Sequence, residues 1–128
     1  MTNLSKKLLL HEFSELKRAF PDAKITDDGR FLYIPELALP PKYNMSSTPV
    51  LISLTKDYED WLYEVPATYV SSGLRLKHGR SSALEAPTPP ELRAAGWGKL
   101  CWRNPPDVAR LREFVASLIM FFEELEEQ

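Results

Sequence analysis

Cys101 is the only cysteine in this chain of 128 residues and its strongest nucleophile. A thiolate attacks acyl carbonyls, and neighbouring cations stabilise it, so the flanking Lys99 and Arg103 favour acyl-transfer chemistry. His78 could act as a general base if the fold brings it to the thiol. The alternative interpretation, which we favour from sequence, is that Cys101 is a small buried hydrophobe between two bulky apolar neighbours. For His78 the alternative is a solvated loop residue.

The segment that contains these residues is basic. Between positions 73 and 103 only Glu85 and Glu91 oppose six cationic side chains, which are Arg75, Lys77, Arg80, Arg93, Lys99 and Arg103. A positive patch suits an acidic partner or a C-terminal carboxylate, which arginine binds through two parallel hydrogen bonds. The candidate partner-binding residues are therefore Arg75, Lys77, Arg80 and Lys99, together with Trp97 as an aromatic anchor between two glycines. Ordinary scatter of surface charge is the competing interpretation.

Several function classes are disfavoured by composition. Two histidines and one cysteine are too few for a zinc site, and the five glycines form no phosphate-binding loop, so we expect no metal and no cofactor. A formal net charge of −2 argues against nucleic acid as a partner. The longest apolar stretch, 114–122, is too short to span a membrane, and no signal peptide is recognisable at the N-terminus. We therefore expect a cytoplasmic protein without membrane contact.

The elements that must position these residues begin with a helix. Leu9, Phe13, Leu16 and Phe20 recur at spacings of three and four, which places them on one helical face, and Pro21 ends the helix. At the other end of the chain, Asn104 and Pro105 predict the start of a second helix. The apolar surface of this helix is wide enough for burial on more than one side. The residues that form it are Val108, Leu111, Phe114, Val115, Leu118, Ile119, Phe121, Phe122 and Leu125.

Between the helices, residues 30–34, 50–54 and 61–69 have the aromatic and β-branched composition of strands. Pro35 predicts that the first of them is an edge strand or is kinked. Residues 71–103 show little periodicity, so we expect a long irregular segment that apolar residues fix at both ends. The prediction is a single α+β domain, 1–128. It has an N-terminal helix, an antiparallel meander of three to four strands, the irregular segment, and a C-terminal helix packed on one sheet face.

A series of short proline- and aromatic-containing motifs follows this order from about Phe20 to Leu125. The motifs are Phe20-Pro21-Asp22-Ala23, Tyr33-Ile34-Pro35, Leu39-Pro40-Pro41, 47–54, Asp57-Tyr58, Tyr69-Val70, Leu74-Arg75-Leu76, Gly79-Arg80, and Trp102 with Pro105. In these motifs and in their order along the sequence, the chain resembles the ubiquitin-conjugating-enzyme (UBC) superfamily. The closest resemblance is to small bacterial UBC-like proteins associated with prokaryotic ubiquitin-like conjugation genes.

The resemblance implies a UBC-like fold and a part in conjugating a ubiquitin-like protein. Conventional members carry a His-Pro-Asn motif before the nucleophilic cysteine, whereas here His78 is followed by Gly79 and Arg80. The resemblance therefore implies first a non-catalytic module that binds the modifier or its activating enzyme. One alternative is a divergent conjugating enzyme that forms a thioester on Cys101. A second is a scaffold or defence-associated domain whose interface includes residues 86–90 and Trp97.

Overall fold

The computed structural model describes residues 3–27, 29–54, 67–84, 86–101 and 111–125. Within these residues the architecture is α+β, with a helix near each end of the chain and an antiparallel sheet between them. The elements in chain order are α1 (Asn3–Ala19), β1 (Lys24–Ile25), β2 (Phe31–Ala38), β3 (Ser47–Ser53), β4 (Thr68–Ser71), a 3₁₀ helix (Ser82–Leu84), α2 (Pro90–Ala94), β5 (Trp97–Lys99) and α3 (Leu111–Glu124). None of the described helices has the length and apolar character needed to cross a membrane.

Helix α1 confirms the predicted apolar face. Leu9 and Leu16 are buried, and Phe13 and Phe20 are half-buried against the core. The helix ends at Ala19, two residues before Pro21, because a proline disfavours helical geometry in the residue that precedes it.

Within the part of the chain that the structure describes, the sheet has five strands in the order β1-β2-β3-β4-β5, and every neighbouring pair is antiparallel. The antiparallel meander is confirmed, but the expected number of three to four strands is too low. Strands β1 and β5 contain two and three residues, which is too short for a period of two to be recognised. The third predicted strand, 61–69, overlaps β4 at positions 68 and 69, β4 continues to Ser71, and positions 61–66 lie outside the described residues.

Pro35 lies inside β2, and the predicted kink is present there. The pairing of β2 with β3 shifts register between Ile34 and Leu37, which is a bulge. Strand β1 pairs only with Leu32 and Tyr33, so among the described residues no strand adjoins Pro35 on that side of β2. The missing N–H of Pro35 therefore interrupts no ladder there.

The segment 71–103 is not one irregular loop, contrary to expectation. Its described part contains the 3₁₀ helix, α2 and β5, each of five residues or fewer, and such short elements give no periodic signal. The expected anchoring is confirmed for Leu74, Leu76 and Leu100, which are all buried. Trp102 and the predicted helix start at Asn104 lie outside the described residues.

The core lies between one face of the sheet and the two long helices. Helix α3 is buried on more than one side, as predicted, since Ile119, Phe121 and Leu125 also pack against the core as half-buried residues. Its fully buried residues are Leu111, Phe114, Val115, Leu118 and Phe122. The strands contribute Leu32, Ile34, Val50, Ile52 and Val70.

Candidate functional site

Asn44 fixes the backbone of Arg75, the first of the predicted basic residues. The Asn44 N–H donates to the Arg75 carbonyl, and the Arg75 N–H donates to Asn44 Oδ1, both at 2.9 Å. Asn44 Nδ2 also donates to the Gly73 carbonyl at 2.9 Å. Further along, the Lys77 N–H donates to the carbonyl of Lys42 at 2.8 Å. Asn44 was not identified from sequence, because its partners lie about thirty residues away and no local motif marks it.

The guanidinium of Arg75 is held in place by backbone carbonyls. Its Nη1 atom donates to the carbonyl oxygens of Ser72 (3.2 Å), Leu74 (2.6 Å) and Leu84 (3.3 Å). All of its hydrogen bonds to described residues use Nη1, and the residue is exposed. The edge formed by Nε and Nη2 can therefore bind a carboxylate with two parallel hydrogen bonds.

The 3₁₀ helix connects Arg75 to Cys101. Arg75 binds the carbonyl of Leu84, and the Cys101 N–H donates to the adjacent carbonyl of Ala83 at 2.8 Å. The turn is itself supported by Ser81, whose carbonyl accepts from the Leu84 N–H at 3.1 Å. The side chain of Arg75 and the backbone of Cys101 are thus hydrogen-bonded to consecutive carbonyl groups of the same turn.

Cys101 is exposed, so the expectation of a buried cysteine is wrong. The preceding Leu100 is buried, and side chains of successive residues in extended backbone point in opposite directions. Burial of Leu100 in the core therefore directs Cys101 outward. The flanking Arg103 lies outside the described residues.

His78 lies in an exposed bend, next to Gly79 at a φ of +100°. A positive φ of this size is easily adopted only by glycine, which explains the residue that follows His78. Within the described parts of the chain, no hydrogen bond or ion pair joins the side chain of His78 to that of Cys101. The catalytic roles of the two residues stay predictions.

The remaining candidate cations are exposed, and the backbone N–H groups of Lys77 and Lys99 are hydrogen-bonded. Lys77 and Arg80 follow the segment that Asn44 holds, and Lys99 lies on β5, where its N–H donates to Thr88 Oγ1 at 2.8 Å. Trp97, expected as an exposed anchor, is instead half-buried. Its role as a partner anchor stays a prediction.

The described residues contain no group of three or more histidine, cysteine, aspartate or glutamate side chains able to hold a metal ion. The chemistry available at this site is that of a fixed guanidinium, surface ammonium groups and an accessible thiol. These groups can bind carboxylates, and the thiol can accept an acyl group.

Comparison of the chain with protein-family models, curated proteins and solved structures finds no match. The comparisons thus assign the chain to no family, and the architecture seen in the described residues is α+β, with an N-terminal helix, a five-stranded antiparallel sheet and a C-terminal helix.

Proposed function

We propose that this chain is a UBC-like domain of a bacterial ubiquitin-like conjugation system, in which it binds the modifier or its activating enzyme without catalysing the transfer. The order of helix, antiparallel meander and helix supports the UBC-like fold, as do the motifs that run along it. The observation that carries the binding function is the immobilised guanidinium of Arg75, one edge of which is available to a ligand.

A fixed arginine binds a carboxylate with a smaller entropic cost than a mobile one. An exposed arginine loses rotamer freedom when it binds, whereas three carbonyls already restrict Arg75 in the free protein. Lys77, Arg80 and Lys99 are exposed in the same segment and add positive charge that attracts an acidic surface. The C-terminal carboxylate of a ubiquitin-like modifier fits this arrangement.

The proposal is tested by titrating the purified chain with each ubiquitin-like protein encoded near its gene. At least one should bind, and Arg75→Glu should weaken that binding at least tenfold. The matched control is Arg93→Glu, which makes the same charge change at an exposed position in α2 and should have little effect. If no modifier binds, or if the two variants weaken binding equally, the proposed carboxylate site is wrong.

The second candidate function is thioester formation on Cys101, and the exposure of its thiol favours it. The Cys101 thiolate would attack the C-terminal carbonyl of a modifier carried as a thioester by an activating enzyme. The new C–S bond forms while the old one breaks, and the thiolate of the activating enzyme leaves. Incubation with modifier, activating enzyme and ATP should then give an adduct that a thiol reductant cleaves and that Cys101→Ala does not form.

A further inference from the structure

Residues 42–44, which we call the connecting segment, lie in the loop between β2 and β3 and contact two parts of the molecule that are distant in sequence. One is the C-terminal end of α3, and the other is the segment 73–77. The loop is closed at its base, where the Leu39 N–H donates to the Ser46 carbonyl at 2.9 Å. Pro40-Pro41 fixes two φ angles within it. The connecting segment therefore has little conformational freedom of its own, so a displacement at one of its ends moves the other.

At one end, the connecting segment holds the last turn of α3. The last carbonyl groups of a helix have no partner within the helix, so a helix end opens easily. Lys42 Nζ donates to the carbonyls of Glu123 and Leu125 at 2.5 and 2.6 Å. The Tyr43 hydroxyl donates to the carbonyl of Phe122 at 2.6 Å, and the two rings meet edge to face with centroids 5.7 Å apart. The closed state of this turn therefore depends on where the connecting segment lies.

At its other end, the connecting segment is paired with the backbone around Arg75 in a short antiparallel bridge. Tyr43 lies opposite Leu76, and both residues are buried. The backbone hydrogen bonds donated by Lys77 and by Asn44, at 2.8 and 2.9 Å, flank this pair. The Asn44 side chain adds another, since its Oδ1 accepts from the Arg75 N–H at 2.9 Å. The position of the Arg75 backbone therefore depends on the same three residues that hold the end of α3.

We infer that the connecting segment couples the last turn of α3 to the backbone of Arg75. When that turn opens, the segment loses its contacts with α3, and the hydrogen bonds that Asn44 makes to Arg75 are weakened with them. Such a coupling is reciprocal, so a ligand that orders Arg75 also protects the end of α3 from opening. This last consequence rests on the proposed function. The coupling itself does not, because all of its contacts lie within the free chain.

The test is residue-resolved amide hydrogen exchange, measured by NMR on the full chain without any partner. Asn44→Ala removes side-chain contacts at the Arg75 end only. It should nevertheless speed exchange of the Leu125 N–H, in the last turn of α3, by about fivefold. Lys42→Met removes side-chain contacts at the α3 end only, and it should speed exchange of the Arg75 and Lys77 N–H groups by a similar factor.

Thr88→Ala is the matched control, because it also removes a side-chain acceptor from a backbone N–H, that of Lys99, but lies outside the connecting segment. It should leave exchange at the end of α3 unchanged. The Ile52 N–H in the central strand β3 reports global unfolding. The inference is overturned if either variant of the connecting segment affects only its own end, or if Thr88→Ala also speeds exchange in α3. Equal acceleration at Ile52 would overturn it too, since the change would then be a loss of global stability.

Discussion

The rings of Tyr33 and Trp97 meet edge to face, with centroids 6.2 Å apart and planes at 89°, although β3 and β4 separate their strands. The register places Tyr33, Leu51, Tyr69 and Lys99 in one row on the sheet face opposite the core, and Trp97 on the same face of β5. The two rings therefore reach towards each other over the intervening strands. Leu51 and Tyr69 in that row are each only 6% exposed.

This ring contact should couple the two residues energetically. In a double-mutant cycle with Tyr33→Leu and Trp97→Leu, we expect a coupling free energy of about 0.5–1.5 kcal/mol, measured by urea unfolding. Phe31→Leu provides the control, because Phe31 lies on the same face of β2. The changes in unfolding free energy caused by Phe31→Leu and Trp97→Leu should be additive. If the effects of Tyr33→Leu and Trp97→Leu are additive, the rings do not stabilise one another.

Tyr43 gives the protein a specific sensitivity to alkaline pH. Its buried hydroxyl donates to the carbonyl of Phe122 at 2.6 Å, and burial raises the pKa of Tyr43 from 10.0 to about 12. Between these values the unfolded chain loses the phenol proton while the folded protein keeps it. The stabilisation that comes from the raised pKa of Tyr43 is therefore complete below pH 10 and is lost as the pH rises from 10 to about 12. From pH 9 to 11.5 the wild type should lose about 2 kcal/mol more than Tyr43→Phe.

The matching experiment is urea unfolding of both proteins across this pH range. At pH 7, Tyr43→Phe should be the less stable protein by about 1–2 kcal/mol, because it leaves the buried carbonyl of Phe122 without its donor. The two stability curves should then converge above pH 10. Parallel curves would mean that the Tyr43 hydroxyl titrates equally in the folded and unfolded chains.

Lys42 stabilises the C-terminal end of α3 through its bonds to the carbonyls of Glu123 and Leu125. A cation at this end also interacts favourably with the helix dipole, and here it offsets acidic side chains at the same end. Lys42→Met should lower the unfolding free energy by about 1 kcal/mol and speed hydrogen exchange in the last turn of α3. Lys77→Met, at an exposed lysine, should change neither quantity. Equal effects of the two variants would contradict the capping role.

The thiol of Cys101 should react with a small disulfide reagent without denaturant, because the side chain is exposed. We expect the rate in the native protein to lie within a few-fold of the rate in urea. The measurement is the absorbance of the released chromophore at neutral pH. Reaction only after unfolding would show that the thiol is covered.

The parts of this fold that were predictable from sequence are those with long periodic patterns. The apolar faces of α1 and α3 extend over several turns, and the kink at Pro35 follows from one residue's missing N–H. Elements of two to five residues, such as β1 and α2, have no such pattern. They form through contacts with the element that follows, since β1 pairs with Leu32 and Tyr33 of β2 and α2 packs against β5.

The site was predictable only in its residue types. The basic residues were identified from composition, but the clamp by Asn44 and the turn that joins Arg75 to Cys101 depend on long-range hydrogen bonds. The prediction that Cys101 is buried is wrong because it relied on the general preference of free cysteines for burial. Here the neighbouring Leu100 occupies the core instead.

The most direct test of the proposed function compares two forms of the modifier, one with a free C-terminal carboxylate and one with an amidated C-terminus. Their binding to the wild-type chain and to Arg75→Glu is measured by titration calorimetry. We predict that amidation weakens binding to the wild type at least tenfold and has little effect on Arg75→Glu, since the carboxylate and Arg75 act as a pair. Equal binding of the two modifier forms to the wild type would contradict the proposed site.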